Sequence, residues 1–159
     1  MRRKSAQTVA PFMGRDLRLD YRWGGGYFED ADLHSDRVLD RGGMRDLTQV
    51  EGLDALTQAI ANRLKTRKGE LAPLGHPDYG SRHHELMGEP NVERIRDLIK
   101  LYVLQALAQE PRIQRVLKAT VKAEHEPPRD TVRIELSVQV IDSPNPLNLV
   151  VPFSLEPRP

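Results

Sequence analysis

Three histidines lie close together in this chain, His76, His83 and His84, with Asp78 and Glu85 beside them. Neutral imidazole and carboxylate are zinc ligands. However, His83 and His84 are adjacent, and on a helix adjacent side chains diverge by about 100°. No H-x-x-x-H spacing and no cysteine supports them, so no metal is expected. Glu85, Glu89, Glu93 and Glu110 could pair for acid–base or glycosidase work. A chain with 23 acidic residues offers many such pairs, and nothing in the spacing fixes a separation or a cleft. Ser81 follows Gly80 without a G-x-S-x-G turn, and Gly24-Gly25-Gly26 lacks the strand and helix of a phosphate loop. Neither an enzyme nor a cofactor is expected.

The binding candidates are few. Lys65-Thr-Arg-Lys68 and Arg2-Arg-Lys4 could touch phosphates, but no stacking aromatics accompany them. A solvated helix end is the better reading, and with a net charge of +1 no nucleic-acid partner is expected. Glu110-Pro111-Arg112 is a rigid corner. Its plain reading is a helix stop with a surface ion pair worth about 0–1 kcal/mol. Its functional reading is an arginine anchor at an interface. On the residues alone, the ion pair is favoured.

The feature with most to say about partners is the C-terminal stretch. Leu147, Leu149, Val151, Phe153 and Leu155 alternate with Asn148, Val150, Pro152 and Ser154. That is a strand with one buried face. Pro152 has no N–H for a ladder, which predicts an edge strand rather than a central one. An open edge is either blunted or used to take another chain's strand.

The elements that must hold these residues follow from periodicity. Leu53, Leu56, Ile60 and Leu64 predict a helix from Gly52 to about Lys65, stopped near Gly69. Residues 69–90 read as loop, with a helical turn through Ser81 to Met87. Asn91 is the expected N-cap of a second helix over about 91–109, whose apolar face is Ile95, Leu98, Ile99, Tyr102, Val103, Ala106 and Leu107. Pro111 ends it. Leu117, Ala119, Val121 and Ala123 then alternate with polar residues, as do Val132, Ile134, Leu136, Val138 and Val140. Turns at Pro127–Asp130 and Asp142–Pro146 join these runs to the edge strand. The expected fold is α+β: two main helices on one face of a small antiparallel three-stranded C-terminal sheet. Residues 1–45 read as an extended N-terminal arm and 46–159 as the α+β domain. Leu17, Leu19 and Tyr21 in the arm could form a short strand, and its aromatics fit a docking segment better than a flexible linker.

Composition fits one modest domain. Hydrophobic residues are 38% and charged residues 30% of 159. There is no cysteine, so disulfide and thiolate chemistry are excluded. No apolar run approaches the roughly 18 residues of a membrane span, and no signal-peptide core follows Met1-Arg-Arg-Lys4. No membrane partner is expected, and synthesis in the cytoplasm is the default.

Several motifs, taken in order, resemble one family. Leu64-Lys-Thr-Arg67, Gly69-Glu-Leu71, Pro77-Asp-Tyr-Gly-Ser81, Asn91 at the long helix, Ala106-Leu107 before Glu110-Pro-Arg112, and Pro146-Leu-Asn-Leu-Val-Val-Pro-Phe153 are similar to the wedge subunit, or sheath initiator, of contractile-tail baseplates. That family occurs in contractile phages, type VI secretion systems and extracellular contractile injection particles, and its older label likens it to lysozyme. The resemblance covers roughly residues 45–155. It implies a structural baseplate protein, with Glu110, Pro111 and Arg112 at the contact with neighbouring wedge proteins. It further implies that Leu147, Asn148, Leu149, Val150, Val151, Pro152 and Phe153 meet the first sheath ring by strand exchange. Central spike or tube proteins are further candidate partners, and about six copies would surround the tail, one per wedge. Assembly into a phage tail or injection particle follows. His83 departs from the apolar residue common in relatives at that position. The alternatives are a small α+β adaptor domain that binds one soluble protein, and, from the old label alone, a cell-wall hydrolase.

Overall fold

The computed structural model describes residues 13–24, 28–38, 42–125 and 130–156. Arg2–Lys4, Phe12, Tyr27 and the Pro127–Arg129 part of the expected turn lie outside the described residues.

Helix α1 spans Leu53–Lys65 and α2 spans Glu93–Leu107. In α1, Leu56, Ile60 and Leu64 recur every fourth residue and are fully buried, while Leu53 at the first position is 40% exposed. Asp54 in the first turn and Arg63 and Lys65 in the last complement the helix dipole. In α2 the buried stripe is Ile95, Ile99, Val103, Ala106 and Leu107, with Leu98 and Tyr102 packed at its margin. The expected cap differs. Val92, not Asn91, precedes the helix, and its carbonyl accepts from the Ile95 and Arg96 N–H groups. Arg96 reaches back to donate to the Asn91 side-chain oxygen at 2.8 Å, so that oxygen serves an arginine instead of the helix end. At the other end, Pro111 cannot supply the N–H that the Leu107 carbonyl would take in a longer helix. Glu110 N–H donates to it instead at 3.0 Å, tightening the last turn. The helical turn expected after Ser81 is a 3-10 turn over Arg82–Leu86.

The C-terminal sheet is antiparallel, in the order β7 (Ile113–Ala123), β8 (Thr131–Val140), β9 (Leu147–Ser154). Val132, Ile134, Leu136, Val138 and Val140 of β8 and Leu149, Val151 and Phe153 of β9 face the core. Both helices cover that face, α2 against β7 and α1 against β9. The opposite face is wet. The strict alternation read for β7 fails at Leu117. Val116 pairs with Val138 and Lys118 with Ser137, so Leu117 is the extra residue of a bulge. The bulge switches faces: Val116 packs on the core and Leu117 is exposed. Gln114 is a second extra residue.

The arm is a strand region whose ladders continue to Glu51. β1 (Arg15–Leu17) pairs with β6 (Gln49–Glu51), β2 (Leu19–Gly24) with β3 (Phe28–Leu33), and β4 (Ser35–Val38) with β5 (Met44–Leu47). The three ladders meet at Arg18, His34 and Thr48. Arg18 N–H donates to the Thr48 carbonyl, His34 N–H to that of Arg18, and Thr48 N–H to that of His34, at 2.9, 2.9 and 3.0 Å. This ring of backbone bonds satisfies the one residue in each pass that belongs to no ladder.

Gln58 staples the junction to α1. Its amide oxygen accepts from Leu19 N–H at 2.9 Å, and its NH2 donates to the Leu17 carbonyl at 2.8 Å. Tyr21 donates to Asn62 at 2.6 Å, and the Lys65 ammonium sits 3.4 Å from the centre of the Tyr21 ring.

Candidate functional site

β9 is the edge strand that Pro152 implied. Its register fixes which groups the open side presents. Leu155 N–H donates to the Asp130 carbonyl at 2.8 Å, and Val132, Ile134 and Leu136 sit opposite Phe153, Val151 and Leu149. In an antiparallel pair the backbone groups of alternate residues turn to opposite sides. The backbones of Leu147, Leu149, Val151 and Phe153 therefore turn toward β8. Those of Asn148, Val150, Pro152 and Ser154 turn to the open side. Pro152 occupies a position whose missing N–H costs the sheet nothing. It also leaves Asn148 and Val150 as successive outward donors. The side chains divide in the same way: Leu149, Val151 and Phe153 are buried, and Val150 is 57% exposed. The sheet's other edge, β7, carries both bulges and is thereby blunted. Of the two edges, β9 alone keeps unbroken register with its neighbour.

The Glu110–Arg112 corner is not the loose surface pair of the plain reading. Glu110 is buried, and the turn folds Arg112 back onto it. Arg112 Nε donates to Glu110 Oε1 at 2.6 Å and Nη2 to Oε2 at 3.0 Å, a two-pronged grip. Arg112 N–H also reaches Oε1, at 3.3 Å. The remaining guanidinium nitrogen, Nη1, donates to the Met13 carbonyl at 3.0 Å. Burial works against the Glu110 charge, but the Arg112 hydrogen bonds outweigh it and hold the carboxyl below the usual carboxylate range. The same bonds raise the Arg112 pKa further. Around the pair, Arg63 lies over the Tyr79 ring at 4.5 Å and donates to Gln109 at 3.4 Å. Pro111 faces solvent. The corner thus ties the end of α2 to Met13, just ahead of β1. Met13 and Gln58 were absent from the sequence reading. Gln58, a polar residue on the buried side of α1, was the available signal.

The loop of the Leu64–Arg67 and Pro77–Ser81 motifs closes on itself. Ser81 N–H donates to the Thr66 carbonyl at 2.9 Å, and Lys68 N–H to that of Ser81 at 3.2 Å. Gly80 makes the crossing possible. With φ +99°, a Cβ there would sit 2.6 Å from the Arg67 carbonyl oxygen. The Glu70 carboxylate accepts from Arg67 N–H at 2.9 Å, and Lys68 approaches Asp78 at 3.8 Å. The basic Lys65–Lys68 run is therefore spread over its own chain.

His83 and His84 serve packing, whereas His76 is exposed. His83 is buried, stacked on His84 at 4.3 Å between ring centres and set edge-on to Phe153 at 4.5 Å. Burial, with a smaller push from His84, lowers its pKa to about 3. It is a neutral core residue. Its Nδ1 lies 2.8 Å from Ser81 Oγ, and His84 Nε2 lies 2.8 Å from the Leu64 carbonyl. Among the described residues no cluster of three His, Cys, Asp or Glu side chains could hold a metal ion. The four carboxylates are engaged separately or left in solvent: Glu85 is gripped by Arg82 at 3.0 Å, Glu110 by Arg112, and Glu89 and Glu93 are exposed. Among the described residues no helix is long and apolar enough to cross a membrane.

The sequence model of the contractile injection system sheath initiators matches residues 16–143, from β1 through the turn that follows β8. The chain belongs to that family. The match ends before β9, so the sheet edge stands on the structure alone. Membership makes this a structural component of contractile tails and injection systems. A candidate tail lysozyme from Geobacter sulfurreducens, known from a crystal structure, is 26% identical, with a TM-score of 0.58 over 66% of this chain and 92% of that one. A chain of the type VI secretion baseplate complex is 20% identical, with a TM-score of 0.51 over 66% of this chain and 94% of that one. The second likeness shows the fold alone. No curated protein matches the sequence.

Proposed function

We propose that this chain joins the baseplate wedge to the first sheath ring, and that it does so by accepting a sheath strand on the open side of β9. The observation that carries the proposal is the contrast between the two sheet edges. β7 is blunted by bulges at Gln114 and Leu117, whereas β9 presents Asn148 and Val150 in register. Main-chain hydrogen bonds would supply the attachment, and alternate side chains would fix the register. The corner at Glu110, Pro111 and Arg112 is the wedge contact in this reading. The ion pair sets its shape, and exposed Pro111 is the face it offers. Other wedge proteins and the first-ring sheath protein are the partners, with about six copies per particle.

Val150→Pro tests the edge. It removes an outward donor at a position equivalent to Pro152 and leaves the pairing with β8 intact. The purified variant should keep the native melting temperature within about 3 °C. It should also fail to nucleate sheath on baseplates viewed by negative-stain microscopy. Native sheath assembly on Val150→Pro baseplates would refute the edge. Aspartate at Leu149 or Val151 is a poorer test, because both are core residues.

A further inference from the structure

The three-ladder junction has two faces of different character. By alternation, residues either side of each junction residue share a face, as do cross-strand partners. Arg18, His34 and Thr48 lie on one face. Arg18 approaches Asp20 at 3.8 Å, and His34 bridges Asp20 of β2 and Asp36 of β4 through its two ring nitrogens. Asp20 pairs with Asp32 and Asp36 with Asp46 across their strands. That face is acidic and is knit together by its own cations.

The other face is apolar and basic. Leu19 and Leu33 are cross-strand partners, Leu17 sits two residues before Leu19, and Leu47 lies opposite Ser35, two residues after Leu33. Leu17, Leu33 and Leu47 are 39%, 50% and 46% exposed. One step further along the β4–β5 ladder, Arg37 and Arg45 face each other directly. Like charges so placed destabilise a ladder. Arg45 donates only to Ser35, at 3.0 and 2.8 Å, and among the described residues neither arginine forms an ion pair. No described side chain from Gly14 to Gly52 is buried. Two-stranded ladders without a core are marginal in water. Tyr21, opposite Ala31 on the same face, is held by Asn62 and Lys65 of α1, so the open part of the face is Leu17, Leu33 and Leu47 with Arg37 and Arg45, two juxtaposed cations that pair with no described carboxylate.

We infer that this leucine–arginine face is a second docking surface, distinct from the β9 edge, and that its partner is a protein segment in which apolar residues alternate with carboxylates. Leucines would be covered by the apolar side chains, and the Arg37–Arg45 repulsion would be relieved by the acids. A membrane surface is the poorer fit, because the acidic face lies on the same thin layer.

The test is a titration of the full-length chain, with leucine methyl shifts read by NMR. The probes are a synthetic peptide alternating leucine and glutamate, its leucine–lysine twin, and anionic phospholipid vesicles. The glutamate peptide should shift the methyls of Leu17, Leu33 and Leu47 and bind at least about tenfold tighter than the lysine peptide. Arg37→Glu with Arg45→Glu should reverse that preference, and Arg37→Lys with Arg45→Lys should keep it. Neither pair touches a buried side chain, so folding is not at stake. Equal binding of the two peptides, no binding, shifts confined elsewhere, self-association through the same methyls, or binding of vesicles alone would each overturn the inference. The isolated chain suffices for the titration, so its outcome is independent of sheath attachment at β9.

Discussion

Replacing Arg112 by alanine should do more than remove a surface charge. Arg112 makes two charge-assisted bonds to Glu110, at 2.6 and 3.0 Å, and one to the Met13 carbonyl at 3.0 Å. Its side chain is only 23% exposed, and that of Glu110 5%. Truncation leaves a buried carboxylate without its cation and a carbonyl without its donor. Such losses run to about 3 kcal/mol for a pair at this depth. In a chain of this size that lowers the melting temperature by roughly 6–12 °C. The Glu110→Ala/Arg112→Ala double variant should lose no more than the single, because no orphaned charge remains. The pH dependence has a definite sign. Glu110 is held below its unfolded pKa, so its contribution is present above the ordinary carboxylate range and is lost as pH falls through the folded value. The deficit of Arg112→Ala should therefore shrink in acid, where a protonated Glu110 needs no cation. Urea denaturation across pH measures this, and hydrogen exchange over Met13–Gly52 should show the N-terminal strands loosened. A variant within about 0.5 kcal/mol of the native chain, with unchanged exchange there, would refute the latch. A loss of wedge assembly in this variant would consequently mix two effects, fold and contact, and Pro111→Ala is the cleaner probe of the contact.

Gly80→Ala should cost about 3 kcal/mol or more, because the new Cβ meets backbone atoms of Thr66 and Arg67 at 2.6–2.7 Å. A urea midpoint equal to that of the native chain would exclude the tight crossing. His83→Leu should flatten the acid limb of stability. With a folded pKa of about 3, native His83 makes the unfolded state the better proton binder below its ordinary value, and stability falls with pH until about 3. The slope from this residue is about 1.4 kcal/mol per pH unit. An unchanged slope between pH 6 and 4 in the leucine variant would show that His83 is not the group responsible.

The sequence by itself determined the elements whose residues answer to local rules. Period four in Leu56, Ile60 and Leu64, and period two in β8 and β9, follow from which side of a helix or strand must leave water. Pro152 marked the sheet edge because a missing N–H has the same consequence in any strand. What the tertiary structure decided are matters of pairing between distant residues. The bulge that turns Leu117 outward is set by β8, against which β7 must keep register, and no property of Leu117 announces it. Glu110 and Arg112 read as a surface pair because what holds them inward is a residue far away in the chain, Met13, whose carbonyl takes Arg112 Nη1. The three-ladder junction was the least legible part. Leu17, Leu19 and Tyr21 alternate with Arg18 and Asp20 and so marked β1 and β2, but the other strands are rich in Asp and Arg, bury none of the described side chains, and lack the hydrophobic alternation by which a strand shows itself. Their order rests on ladders such as Arg15 with Glu51, and on a ring of backbone bonds among Arg18, His34 and Thr48. Backbone groups are the same in every residue, so bonds made by them leave no mark in the sequence.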